Sequence, residues 1–123
     1  MANTFKVITV ADIIIDTAGT PYSVVYTVAG STTTIVVGLN LCNKTATDSD
    51  VTVTLVSDTG SRAVANNAAN EQVILLNEVS VPADTTLEVL SGQKVVMETT
   101  DVLRIGAAHG SAIDVALSVM EIT

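Results

Sequence analysis

The chain holds one histidine, His109, two residues before Ser111 and five before Asp114. A serine, an imidazole and a carboxylate are the groups of a nucleophilic triad, but a triad needs them in one hydrogen-bonded chain facing an oxyanion hole. Neighbours on a single turn rarely reach that geometry. Ala107, Ala108 and Gly110 flank His109, so a plain hairpin turn is expected there. Asp48 and Asp50, with Asp58 beyond the next strand, offer the oxygen ligands that calcium takes, yet neither the EF-hand spacing nor its glycine is present. Glu98 and Asp101 flank Thr99-Thr100. Paired carboxylates do acid–base work in a cleft, whereas beside threonines they commonly bond the backbone of a turn. Asn43-Lys44-Thr45 matches a glycosylation acceptor, a pattern with meaning only after secretion. Tyr22 and Tyr26 lie four apart and would share one face of a strand, as a sugar-binding platform requires. The chain has no Trp, and packing is their expected use. The single cysteine, Cys42, sits in an apolar run and is expected as an inert buried thiol. No Gly-rich phosphate loop, Cys/His cluster or redox motif occurs in the sequence. The expectation is a protein that is not an enzyme and uses no cofactor and no metal.

The elements that carry these residues are strands. Ile113, Val115, Leu117 and Val119 alternate with Asp114, Ala116 and Ser118, and Val51, Val53 and Leu55 alternate with Thr52 and Thr54. Such period-2 patterns bury one face and wet the other, as antiparallel sheets do. The patterning predicts strands near 4–10, 22–28, 32–42, 50–57, 72–80, 86–90, 93–98, 101–106 and 112–122. Gly19-Thr20-Pro21, Ala29-Gly30-Ser31, Ser91-Gly92 and the polar run Asn43 to Asp50 separate them. Leu90-Ser91-Gly92-Gln93 has the composition of a tight hairpin, with Gly at a positive φ. Pro82 ends another strand, because proline cannot donate to a ladder. Residues 57–70, rich in Ala, Asn and Ser, fit no strand and read as a loop or one helical turn. About eight to nine short strands at this spacing predict an all-β antiparallel β-sandwich, a jelly roll or similar Greek key. A single domain over residues 1–123 is expected, with residues 1–12 free to extend as an N-terminal arm.

Composition agrees. Hydrophobic residues make up 48% of the 123 residues and charged ones only 15%, the reverse of a disordered chain. There are 20 Val, 9 Ile and 18 Thr but only three aromatics, Phe5, Tyr22 and Tyr26. Stiff β-branched side chains favour a pleated surface. The net charge of −8, with only five Lys and Arg, supplies no footprint for phosphate backbones, so no nucleic-acid partner is expected. No run of ~18 apolar residues marks a membrane helix, and no membrane partner is expected. The basic start of a secretory signal is missing, and Asp12 and Asp16 interrupt the first apolar stretch; folding in a cytoplasm is expected. Outward positions carry Thr, Ser, Ala and Asp where monomeric sheets place Lys, which points to faces covered by neighbours.

Several local patterns resemble small β-sandwich virion proteins of tailed bacteriophages, especially those of cyanobacteria and other marine hosts. They are Val25-Tyr26-Thr27-Val28-Ala29-Gly30 with the Thr-rich residues after it, Val37 to Asn43 leading to Val51-Thr52-Val53, and Val79-Ser80-Val81-Pro82 leading to Leu87-Glu88-Val89-Leu90. Gly92 to Glu98 with Asp101-Val102-Leu103-Arg104-Ile105, and the ending Val115 to Ile122, complete the set. The family usually has Pro where this chain has Ala29. The resemblance implies a virion structural protein, foremost a capsid decoration (cement) protein stabilising the head shell; a neck, tail or fibre accessory, or a glycan-binding module, is the alternative. It implies a major capsid protein or other virion protein as partner, a homo-oligomer with a trimer favoured, and a virion location after assembly in host cytoplasm. The interface residues expected are Phe5, the first loop's Asn43, Lys44, Asp48 and Asp50, and the second loop's Arg62, Asn66, Asn67 and Asn70.

Overall fold

A computed structural model describes residues 2–13, 22–57, 71–90 and 92–123. Among them nine strands form: β1 (Asn3–Val10), β2 (Ser23–Thr27), β3 (Thr33–Asn43), β4 (Ser49–Ser57), β5 (Glu71–Val81), β6 (Thr86–Glu88), β7 (Val95–Met97), β8 (Val102–Ala107) and β9 (Ile113–Ile122). No helix occurs among the described residues. The period-2 patterns therefore became strands at nearly the expected places. Of the segment 57–70 expected to fit no strand, Ser57 ends β4, and the rest, with Asp58, Arg62, Asn66, Asn67 and Asn70, lies outside the described residues.

Two antiparallel sheets face each other. One has the order β1-β9-β3-β6, with β7 also on β3; the other has the order β2-β8-β4-β5. The pairings nest: β4 with β5, β3 with β6 and β7, β2 with β8, β1 with β9. The chain is thus one long hairpin with its tip between β4 and β5. Winding that hairpin into a sandwich brings β9 beside β3 and β8 beside β4, and both ladders are present. This is the jelly roll, the wrapped form of two Greek keys.

The core lies where the inner faces meet. β9 contributes Ile113, Val115, Leu117 and Val119, β3 contributes Val36, Leu39 and Leu41, β4 contributes Val51 and Val53, and β8 contributes Leu103 and Ile105. On β3 the inward phase shifts from Thr34 and Val36 to Leu39, Leu41 and Asn43, because Val37 bulges out of the ladder with β9.

One expectation is corrected. Residues 86–90 and 93–98 do not form a hairpin with each other. β6 and β7 both run antiparallel to β3, so they are two halves of one interrupted strand. Gly92 does take a positive φ of 73° and the Gln93 N–H donates to the Leu90 carbonyl, as a turn requires. The turn is an excursion placed opposite the Val37 bulge. Gly92 sets the local turn, but pairing with β3 decides what that turn connects. The first residues also differ from a free arm: Asn3–Val10 pair with β9 along their whole length.

Among the described residues, connections gather at two poles. Residues 11–13, 43–50, 82–85 and 108–112 meet at one, where Lys44 N donates to Ala112 O, Asp84 N to Thr45 O, Ala108 N to Asp50 O and Ile13 N to Ile113 O. At the other pole Val28 N donates to Asp101 O and Thr100 N to Val28 O.

Candidate docking surface

The first pole holds Asn43, Lys44, Asp48, Asp50, His109 and Asp114 among the residues singled out in the sequence. Asn43 is fully buried. Its amide donates to the Thr47 and Val81 carbonyls at 2.9 Å each, and its Oδ1 accepts from the Thr45 N–H and hydroxyl. The side chain holds the loop shut and presents nothing to a partner. Lys44 is exposed and binds Asp12 and Asp114, at 2.5 and 2.9 Å. These contacts raise the Lys44 pKa, Asp12 contributing more than Asp114. The Asp114 carboxyl is lowered by Lys44 first and by the Asp12 N–H second. Asp48 accepts from the Ala83 N–H, tying the 43–50 loop to the 82–85 turn. Asp50 is exposed at the start of β4.

His109 sits in the exposed stretch 108–111 with its N–H on the Ser49 hydroxyl, while Asp114 is engaged by Lys44 on the outer sheet face. The triad pattern is therefore not assembled by the fold. At the opposite pole, Asp101 is buried and accepts from the Glu98 N–H, the turn-stapling use expected for that pair. No group of three or more His, Cys, Asp or Glu able to hold a metal exists among the described residues. Cys42 is half-buried rather than buried, facing outward opposite Asp114 in the β3–β9 ladder.

Sequence reasoning missed a polar clamp between the sheets. Tyr26 on β2 shares a hydrogen bond with the Thr34 hydroxyl on β3 at 2.8 Å and donates to Glu121 on β9 at 2.5 Å. Lys6 on β1 binds the same carboxylate at 2.7 Å. One carboxylate joins strands of both sheets at their open end. Burial, then the bond to Glu121, pushes the Tyr26 pKa up to about 12. Lys6, then Tyr26, holds Glu121 below the ordinary carboxylate range. Nothing local signals this, because Tyr26 and Glu121 are 95 residues apart. Tyr26 is thereby unavailable as a sugar platform.

A consequence is testable. The wild-type protein is expected to lose stability as pH rises from the ordinary phenol value near ~10 toward about 12, because only the unfolded chain ionises readily there. Tyr26→Phe is expected to remove that alkaline slope and to cost about 1 kcal/mol at neutral pH. On the acid side, Glu121 contributes stability that is lost as pH falls through its lowered pKa. Chemical denaturation across pH checks both.

The outer face of the β1-β9-β3 sheet is a different kind of surface. Register places Phe5, Val7 and Thr9 of β1 beside Met120, Ser118 and Ala116 of β9, and these beside Ile35, Gly38 and Asn40 of β3. Val96 of β7 lies opposite Ile35. Phe5 is 75% exposed, Val7 66% and Val96 60%. Thr9, Ser118 and Asn40 interrupt the face with polar groups, so its apolar part is the cluster of Phe5, Val7, Met120, Ile35 and Val96. Among the described residues expected at an interface, only Phe5 lies on this face.

No protein-family model matches the chain, and no curated protein does. Solved structures do. A chain of the T13 infectious bursal disease virus particle matches over 97% of this chain with a TM-score of 0.50 and 13% identity. The jelly roll is shared with a viral particle protein. A chain of the Gx strain of infectious bursal disease virus matches over 98% at 0.49 and 12% identity. This chain spans 30% and 37% of those two viral chains. A chain of the disulfide-linked pili of Bacillus endospore appendages matches over 97% of this chain and 84% of its own length, at 0.40 and 14% identity. At such identities the likeness concerns the fold.

Proposed function

We propose that this chain is a structural component of a bacteriophage virion, foremost a decoration protein that binds and stabilises the head shell. The observation that carries the reading is the jelly-roll winding shared, over 97% of the chain, with part of a viral particle protein. The phage-virion patterns in the sequence support the same role, and the apolar outer face supplies a surface for it. The protein acts by shape: a stiff sandwich of Val, Ile and Thr presents a face and two poles of loops to neighbouring subunits. It is not an enzyme in this reading, and its partner is a major capsid protein or another virion protein. Contacts that are weak singly stabilise a shell when repeated over many identical copies.

The test is the copy number and position of the chain in an image reconstruction of the particles that carry it. Decoration predicts on the order of hundreds of copies spread over the head by shell symmetry. A few copies confined to neck, tail or fibre would move the protein to the accessory role. Absence from the particle would end the reading.

A further inference from the structure

Each sheet has two edges, and exposed edges invite pairing with another chain unless they are blunted. Three of the four are blunted here by known devices. β2 carries an irregularity between Val24 and Tyr26. β5 has two register shifts and a residue at positive φ, Glu78. The β6 and β7 edge is broken into pieces of three residues. Among the described residues β1 alone is long and regular: eight residues pair with β9 without a bulge. It contains no proline, and its one charged side chain, Lys6, is held by Glu121.

The ladder shows which groups face outward. Ala2 and Thr123 exchange both backbone bonds, so they are a hydrogen-bonded pair. Alternation then directs the N–H and C=O groups of Thr4, Lys6 and Ile8 toward β9, and those of Asn3, Phe5, Val7 and Thr9 toward the open edge. Residues 2–7 are exposed on both sheet faces, which leaves room for a further strand.

We infer that β1 pairs with β1 of a second copy, antiparallel about a twofold centred on Phe5. Charge selects this arrangement. Asp12, Asp48, Asp50, Asp84 and Asp114 gather at the pole where β1 ends, opposed by Lys44. Parallel pairing would set two such poles side by side. Antiparallel pairing sets each ~24 Å from the axis, and therefore ~48 Å apart, several screening lengths of ~8 Å. Centring on Phe5 opposes Phe5 with Phe5 and Asn3 with Val7 on the outer face, and Lys6 with Thr4 on the inner. Centring on Lys6 would oppose like charges directly, which destabilises a pair. An isologous pair is a dimer, in place of the trimer expected from the sequence. The overlap of ~24 Å by ~10 Å is a fraction of the ~800 Å² per partner of a stable complex. The pair is accordingly weak in dilute solution and strengthens where copies are held side by side. The inference is independent of the virion role, so either can fail alone.

Val7→Pro tests it, because it deletes an edge-facing N–H without removing a bond to β9. Sedimentation equilibrium from about 10 μM to about 1 mM is expected to show a reversible monomer–dimer equilibrium for the wild type. Val7→Pro is expected to weaken it at least ~10-fold. In a Cys42→Ser background, Phe5→Cys is expected to cross-link to its own copy on oxidation, since paired Cα atoms lie ~5.5 Å apart. Val7→Cys, facing Asn3, is expected not to. Should Val7→Pro fail to fold, the two cysteine variants decide. A wild type that stays monomeric throughout, a trimer, undiminished dimers of folded Val7→Pro, or equal cross-linking of both cysteine variants overturns the inference.

Discussion

Leu117→Ala is expected to destabilise the protein by about 4 kcal/mol, in the upper half of the range for such truncations. Leu117 is fully buried on β9, the strand held between β1 and β3, and stands opposite Ile8 on one side and Leu39 on the other. The size of the effect follows from what surrounds it. The core is Val, Ile and Leu with few long or flexible side chains. β-Branched residues are stiff at χ1, and a backbone locked into ladders on both sides cannot move inward. The space left by three methylene-sized groups therefore stays largely open, and the cost of the cavity adds to the lost burial. For a chain of this length the melting temperature should fall by on the order of 15 °C. Val7→Ala, removing apolar atoms from an exposed position on the next strand, should change stability by less than ~0.5 kcal/mol. Thermal and denaturant unfolding of the two variants compares them directly. A small effect at Leu117 would mean that the sandwich repacks, contrary to the stiffness that its composition implies.

The same stiffness explains how much was legible in advance. Where a strand buries one face, hydrophobic alternation marks its extent, so β4, β8 and β9 lie within a residue or two of the predicted spans. Even the Val37 bulge leaves a trace, as a slip of the apolar phase on β3 from even to odd positions. What could not be read was pairing between distant segments. Gly92 signalled a turn, but nothing nearby said that both flanking strands would lie on β3. The Tyr26–Glu121–Lys6 clamp joins residues from three separate stretches of chain and exists only once the sheets have closed. Surface function was the least legible. An exposed edge is defined by the lack of a neighbour, and the blunting of β2 and β5 by register shifts appears only in the ladders.

Asn43 shows the difficulty in one residue, and its substitution carries the other large expected effect. Its position at the head of a polar run suggested a contact for a partner. In the fold it is a buried crosslink: two carbonyls receive its amide, and Thr45 donates to its oxygen twice. Asn43→Ala removes all four bonds and leaves the Val81 carbonyl, in the interior, with one donor fewer. At about 1 kcal/mol for each of the better bonds the loss should reach roughly 3 kcal/mol. Asn43→Asp separates the two halves of the arrangement. The bonds from Thr45 can persist, but a carboxylate would face the Thr47 and Val81 carbonyl oxygens, acceptor against acceptor. The variant carboxyl should therefore be held protonated, with its pKa raised above the usual range. A group of raised pKa stabilises below its unfolded value and loses that contribution as pH rises through the folded one. Asn43→Asp should accordingly approach the wild type in mild acid and fall to the level of Asn43→Ala or below at neutral pH, while Asn43→Ala stays displaced by a constant amount. Parallel pH curves for the two variants would show that the amide's donors are dispensable and that the loop is held by something other than Asn43.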